Sequence, residues 1–222
     1  MGGLFGVASR SDCVQHLFYG TDYHCHLGTR RGGLAVHNQG NIDRVIHDIT
    51  NSQFRSKFED DVLRLHGNLG IGVISDYEDQ PLIIGSHLGV FALATVGAIK
   101  NADRLAADAY RRRGVHFSEM SGNEINATEL VATLIAEGED FPSAIREAGR
   151  RIEGSCSLLI LTHDAVYAAR DRFGRTPLIV GQGEHGYAVT GETCAFANLD
   201  YTPVHELGPG EVVRITADAI ET

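Results

Sequence analysis

The sequence predicts an α+β fold in which two mostly antiparallel sheets carry helices on their outer faces. Three observations predict it. Short apolar runs bounded by glycine or polar turns recur between Leu4 and Ala94, segments with a helical rhythm fill the middle from Asn101 to Ile152, and strand-like runs resume after Gly154. Strands in blocks and helices in blocks are satisfied by layered sheets covered by helices. A chain of 222 residues that is 43% hydrophobic can bury one large core, so one domain spanning 1–222 is expected.

Leu4–Ala8, Gly33–His37, Leu69–Ile74 and Val90–Ala94 are short and apolar with turn residues at their ends, which reads as strand. Between them, Asn41–His66 carries Ile42, Val45, Ile46 and Ile49, then Phe54, Phe58, Val62 and Leu65, spacings that predict two helices. Its Glu59-Asp60-Asp61 run reads as a solvated face. Asn101–Arg113 sets Leu105, Ala109 and Arg112 in helical rhythm, and the closing Arg111-Arg112-Arg113 suits the negative end of a helix dipole better than an anion site. Gly114 to Ile125 reads as a polar, glycine-containing loop. Asn126–Glu137 aligns Leu130, Leu134 and Ile135 on one stripe. Asp140 followed by Pro142 marks an N-cap with proline in the first turn, and Ile145, Ala148 and Ile152 form the inner face of the helix that follows. Leu158–Thr162, Ala165–Ala169, Leu178–Val180, Tyr187–Thr190 and Glu211–Ile215 then read as strands.

A net charge of −10 argues against nucleic-acid binding, which needs a basic face. Four cysteines without a secretory leader fit reduced thiols and a cytoplasmic location. No apolar stretch approaches the roughly 20 residues of a membrane span. The His24-Cys25-His26 cluster lacks a second ligand pair at zinc-like spacing, so no metal and no cofactor are expected. Cys25 between two histidines leaves a low-pKa thiol or a plain helix or strand end as readings. Cys156, in the apolar run Ser155–Ile160, reads as a small buried hydrophobe.

Several motifs stand in a fixed order: Gly2-Gly3-Leu4-Phe5-Gly6-Val7; Tyr19-Gly20; His26-Leu27-Gly28-Thr29-Arg30-Arg31-Gly32-Gly33-Leu34; Gly70-Ile71-Gly72 with Gln80-Pro81-Leu82; Gly97-Ala98-Ile99-Lys100-Asn101-Ala102; Ala127-Thr128-Glu129-Leu130; Asp171-Arg172-Phe173-Gly174-Arg175-Thr176-Pro177-Leu178; Gly191-Glu192-Thr193-Cys194-Ala195-Phe196; and Glu206-Leu207-Gly208-Pro209-Gly210-Glu211. Together they resemble the N-terminal glutaminase half of amidophosphoribosyltransferases, class II glutamine amidotransferases. The resemblance covers essentially the whole chain. It implies a four-layer α-β-β-α sandwich of the N-terminal-nucleophile hydrolase type, and an association with purine biosynthesis.

The resemblance also implies a set of site positions, and this chain departs from the family at nearly all of them. The family's N-terminal Cys, whose thiolate attacks the glutamine amide with its own α-amino group as base, is matched by Gly2; loss of Met1 would leave the amine without the sulfur. The Arg that clamps the substrate carboxylate falls on Ser75, which has no charged fork, and Asp76 follows it. The oxyanion pair Asn-Gly reads Val96-Gly97, so only a backbone donor is kept; one such donor contributes roughly 10²–10³ in rate. The acidic residue that fixes the substrate ammonium falls on Ala127. The Arg of the His-Arg-Gly motif is Leu27. Losses in separate segments point to a naturally degenerate site. Cys194 occurs in active relatives too and reads as structural.

No catalytic residue is therefore expected among Gly2, Leu27, Ser75, Val96, Gly97 and Ala127. The preferred reading is a glutaminase-like domain or subunit that stabilises or regulates a partner, a phosphoribosyltransferase or another synthase, with homo-oligomerisation the further partner expectation. The phosphoribosyltransferase half that follows in the family is absent from this sequence. A repurposed small-molecule binder and an active glutaminase with a relocated nucleophile, drawn from Cys13, Cys25, Cys156 or Cys194, are the alternatives.

Overall fold

Apolar residues on both faces of its strands force this chain into four layers. The computed structural model describes residues 2–113, 120–121 and 124–222. In chain order the elements are β1 (Gly2–Ser9), α1 (Val14–Asp22), a 3-10 turn (Cys25–Leu27), β2 (Arg31–Asn38), β3 (Asn41–Asp48), α2 (Phe54–Val62), β4 (Leu69–Ser75), β5 (Leu82–Ser86), β6 (Gly89–Ile99), α3 (Ala102–Arg113), β7 (Met120–Ser121), β8 (Glu124–Ile125), α4 (Ala127–Ile135) and α5 (Phe141–Arg151). Then follow β9 (Gly154–Leu161), β10 (Val166–Ala169), β11 (Ile179–Gly183), β12 (Gly186–Thr190), α6 (Cys194–Asn198), β13 (Thr202–Glu206), β14 (Val212–Ile215) and β15 (Ile220–Glu221). The expected loop from Gly114 to Ile125 lies largely outside the described residues.

One sheet has seven strands in the order β13-β11-β12-β1-β4-β2-β3, and the other six in the order β15-β14-β10-β9-β6-β5. Their facing sides bury Leu4, Ile71, Val73, Leu159, Leu161 and Val213 in one core. Alternate residues of the seven-stranded sheet, Phe5 and Val7 among them, pack outward on α1 and α2, where Phe54 and Phe58 stack at 4.2 Å between ring centres. Alternate residues of the six-stranded sheet pack outward on α3, α4 and α5 through Leu105, Leu130, Ile135 and Ile145. Each large side chain fully buried in these layers stabilises the fold by roughly 1.5–3 kcal/mol. The α-β-β-α sandwich expected from the sequence is the observed fold.

The first of the two helices expected in Asn41–His66 is a strand. Asn41–Asp48 pairs with Arg31–Asn38 in full register, closing on Asn38↔Asn41. The turn explains why: Gln39 (φ 46°) and Gly40 (φ 91°) both adopt positive φ, the two-residue hairpin loop that matches strand twist. Ile42, Val45 and Ile46 then lie partly buried on an edge strand. The second helix forms as expected, with Phe54, Phe58 and Val62 buried. Helix α1, which buries Val14, Leu17, Phe18 and Thr21 at helical spacing, was legible in the same way but was not assigned from the sequence.

Candidate functional site

At one end of the seven-stranded sheet, Gly2 pairs with Ser75 and Ser75 pairs with Arg31, so the three stand in one row across β1, β4 and β2. Gly2 shares the sheet face of Leu4, and Ser75 that of Val73, the side turned to the other sheet. From that sheet, β6 brings Val96 opposite: a Cβ built on Gly2 would lie 3.1 Å from Val96 Cγ2 and 2.5 Å from the Ile74 carbonyl oxygen. A real side chain there requires the backbone to shift.

The same residues are joined by a chain of hydrogen bonds. Ser75 Oγ, buried, accepts from the amides of Tyr77 and Glu78, both at 3.3 Å. The turn so formed sends the Glu78 side chain inward to the start of α4, where its carboxylate accepts from Ala127 N (2.5 Å), Thr128 N (3.1 Å) and Thr128 Oγ (2.6 Å). Because the Thr128 hydroxyl donates to that carboxylate, the Thr95 hydroxyl must donate to Thr128 Oγ, 2.7 Å away. Thr95 N donates to Gln80 Oε1 at 2.7 Å, and Thr95 precedes Val96, which closes the circuit back to Gly2. The α4 N-terminus, whose free amides and dipole attract an anion, is therefore filled by the protein's own Glu78, with Asn126 accepting from Glu129 N to complete the cap.

The structure thus brings together Gly2, Ser75, Val96 and the backbone of Ala127. Gly97 follows on β6 opposite Cys156. Leu27 ends the 3-10 turn, partly buried. Asp76 Oδ1 accepts from Thr29 N at 2.8 Å, and that amide holds its carboxyl below the ordinary range. Sequence reasoning missed Glu78, Thr95 and Thr128, and it missed Arg31, one strand over from Ser75. The Arg31 guanidinium is already held by Asp48 and by Asp79, the latter at 2.8 Å. No short motif marks Glu78: its role depends on the Ser75 turn, which is visible only in three dimensions.

The cysteines do not gather at this row as activated thiols. Burial pushes the Cys156 thiol up to about 12 and that of Cys25, beside Asp22, also up to about 12. Burial raises Cys13 further still and raises Cys194. The raised value argues against the low-pKa thiol entertained for Cys25, since a reactive cysteine needs a lowered pKa. Cys194 is exposed at the start of α6, where it packs into no core. The His24-Cys25-His26 cluster divides: His24 is buried with Nδ1 donating to the Gly20 carbonyl (2.8 Å) and Nε2 2.9 Å from Thr190 Oγ, whereas exposed His26 pairs with Glu192 at 2.9 Å. Of the Arg111-Arg112-Arg113 run, Arg111 pairs with Asp108 on its own helix; the side chains of Arg112 and Arg113 lie outside the described residues.

Burial lowers the pKa of His24 from its ordinary 6.5. Between that value and the folded one, the unfolded chain binds a proton that the folded chain refuses, so this histidine's contribution to stability falls as pH drops through about 6.5, by at most about 1.4 kcal/mol per pH unit. Imidazole NMR is expected to show His24 titrating below its ordinary value of 6.5. A titration at or above the ordinary value would refute the assignment.

Residues 66–198 match the family model described as a glutamine amidotransferase domain. The amidophosphoribosyltransferase of Methanocaldococcus jannaschii is 29% identical over 231 residues, covering 97% of this chain and 47% of that protein. That of Synechococcus elongatus is 29% identical over 235 residues, covering 99% and 46%. The chain thus spans about half the length of these relatives. Among solved structures, the glutamine phosphoribosylpyrophosphate amidotransferase of B. subtilis, complexed with ADP and GMP, superposes with a TM-score of 0.85 at 24% identity, over 99% of this chain and 48% of that one. A glutamine aminotransferase class-II domain protein from Silicibacter pomeroyi superposes at 0.65 and 14% identity, over 99% and 97%.

Proposed function

The chain belongs to the glutamine amidotransferase domain family, and from that premise we propose that it is a catalytically degenerate member, related to the glutaminase half of amidophosphoribosyltransferases, that has a structural or regulatory role toward a phosphoribosyltransferase or synthase taking free ammonia. The observation that carries this reading is the closed circuit at the candidate site. A Cβ on Gly2 meets the Ile74 carbonyl oxygen at 2.5 Å, and the Glu78 carboxylate occupies the amides of Ala127 and Thr128. A carboxylate at the start of α4 is of the right charge to hold an ammonium, but its oxygens already accept three hydrogen bonds. Ser75 supplies no cation, and the nearest guanidinium in the row, Arg31, is neutralised by two aspartates. The raised thiols argue in turn against a relocated cysteine nucleophile. Among the described residues no helix is long and apolar enough to cross a membrane.

The test is ammonia and glutamate release from L-glutamine, run beside a covalent glutamine analogue with intact mass spectrometry. The expected result is no turnover and no adduct. Gly2→Cys is expected to stay inactive as well, because it restores a thiol to a position without room for it and leaves the carboxylate clamp and the oxyanion side chain missing. Glutamine turnover by the unmodified chain, or by this single variant at a rate typical of enzymes, about 1 per second or more, would overturn the reading.

A further inference from the structure

On the opposite side of the six-stranded sheet from Gly2 lies a cavity of about 210 Å³. Cys156, in its wall, packs with the helical-layer core, whereas Val96 packs with the core between the sheets, so the sheet separates the cavity from the candidate site. Its floor is apolar, built from Val131, Ile145, Ile152, Leu158 and Val212. Four arginines line it: Arg146 and Arg150 from α5 and Arg172 after β10 are exposed and make its rim, and Arg170, also after β10, is half-buried. The single lining carboxylate, Asp171, is buried and already accepts from the amides of Phe173 (3.0 Å), Arg175 (2.7 Å) and Thr176 (3.1 Å).

Internal structure accounts for only part of this charge. Arg150 pairs with Glu147 at 3.1 Å, and Arg172 donates to the Arg150 carbonyl at 3.4 Å, as cations do at a helix C-terminus. Arg170 pairs with Glu206 at 3.2 Å and donates to the carbonyls of Leu207 (2.5 Å) and Gly174 (2.8 Å), yet its buried Nε has no partner. Arg146, mid-helix, makes no ion pair within 4 Å among the described residues, its charge reaching only the Asp140 carboxyl at the helix start, and stands one turn from Arg150, a like-charge spacing that helices otherwise disfavour. In a chain of net charge −10, such a rim over an apolar floor is matched by one kind of molecule.

We propose that this cavity binds a small organic anion, a phosphate or carboxylate head held by the arginine rim with a body about the size of one ring on the apolar floor. Guanidinium forks match both anions bidentately, and the volume is below that of drug-sized pockets, which limits the body. Arg172 is held for this by its position over the Phe173 ring, 4.5 Å from the ring centre. The site does not depend on whether glutamine is hydrolysed elsewhere in the molecule.

The test is calorimetric titration of the full chain with phenyl phosphate, benzoate and inorganic phosphate. Saturable binding of phenyl phosphate or benzoate is expected, tighter than inorganic phosphate and weakening as salt is raised. Arg146→Gln and Arg172→Gln are each expected to weaken it about tenfold, with the unfolding midpoint unchanged. The tighter of the two aromatic ligands identifies the head group. Absence of saturable binding, inorganic phosphate binding as tightly as the aromatic ligands, or unchanged affinity in both variants would overturn the proposal.

Discussion

Replacing Glu78 by Ala is expected to destabilise the protein by about 3 kcal/mol or more, although Glu78 lies in a connection between strands. Its carboxylate is the acceptor for three donors, the amides of Ala127 and Thr128 and the Thr128 hydroxyl, and Thr128 is completely buried. Truncation leaves those donors without a partner, at about 1–3 kcal/mol each where water cannot reach, and removes a negative charge from the positive end of α4. For a chain of this size each kcal/mol moves the thermal midpoint by roughly 2–4 °C, so a fall of roughly 6–12 °C is expected. Glu78→Gln keeps one acceptor oxygen and the shape, and should lose less. Urea unfolding of the two variants beside the parent decides the matter. An Ala variant as stable as the parent would mean that the α4 amides are satisfied by water, and the closed circuit would lose its energetic meaning.

Gly33→Ala is expected to be at least as damaging. Gly33 pairs with Val73 on the face turned toward the second sheet, and the segment leading to β5 crosses directly over it: a Cβ there would lie 1.7 Å from the Gln80 carbonyl oxygen and 2.9 Å from Pro81 Cδ. The crossing segment cannot simply lift, because Gln80 Oε1 holds Thr95 N at 2.7 Å and Glu78, two residues earlier, is bonded to α4. Overpacking a core costs typically 1–3 kcal/mol when side chains can yield. Here the obstacle is backbone tied at both ends, so a loss of at least about 3 kcal/mol is expected, read as a lowered urea midpoint or failure to accumulate as folded protein. A variant of parental stability would show that the crossing segment moves freely.

Both residues bear on what the sequence disclosed. Strands such as Leu69–Ser75 and helices such as α5, with Asp140 accepting from Ser143 N, were legible because their signals are local: an apolar run, or a cap followed by proline. The glycine-rich framework was legible for a related reason, since Gly33 and Gly2 stand where a neighbour approaches too closely for a side chain. Asn41–Asp48 misled because Ile42, Val45 and Ile46 fit a helical spacing, while the Gln39-Gly40 turn that makes the segment a hairpin occupies only two residues. Glu78 and Arg31 were illegible because their roles depend on register. Which residue stands beside Ser75, and which helix end a carboxylate reaches, are decided by the pairing of segments far apart in the chain.

That pairing also sets an order of assembly. β1 is an interior strand: Phe5 faces Gly72 on one side and Thr190 on the other. During synthesis the β2, β3 and β4 ladders can form from neighbouring sequence, but the second flank of β1 stays open until Gly186–Thr190 has emerged. Long-range closures of this kind are slow, and an apolar strand with an unpaired edge is the form most prone to pair with a wrong partner. β1, made before both strands that flank it, is therefore among the last to be enclosed, and the row that begins at Gly2 inherits that lateness.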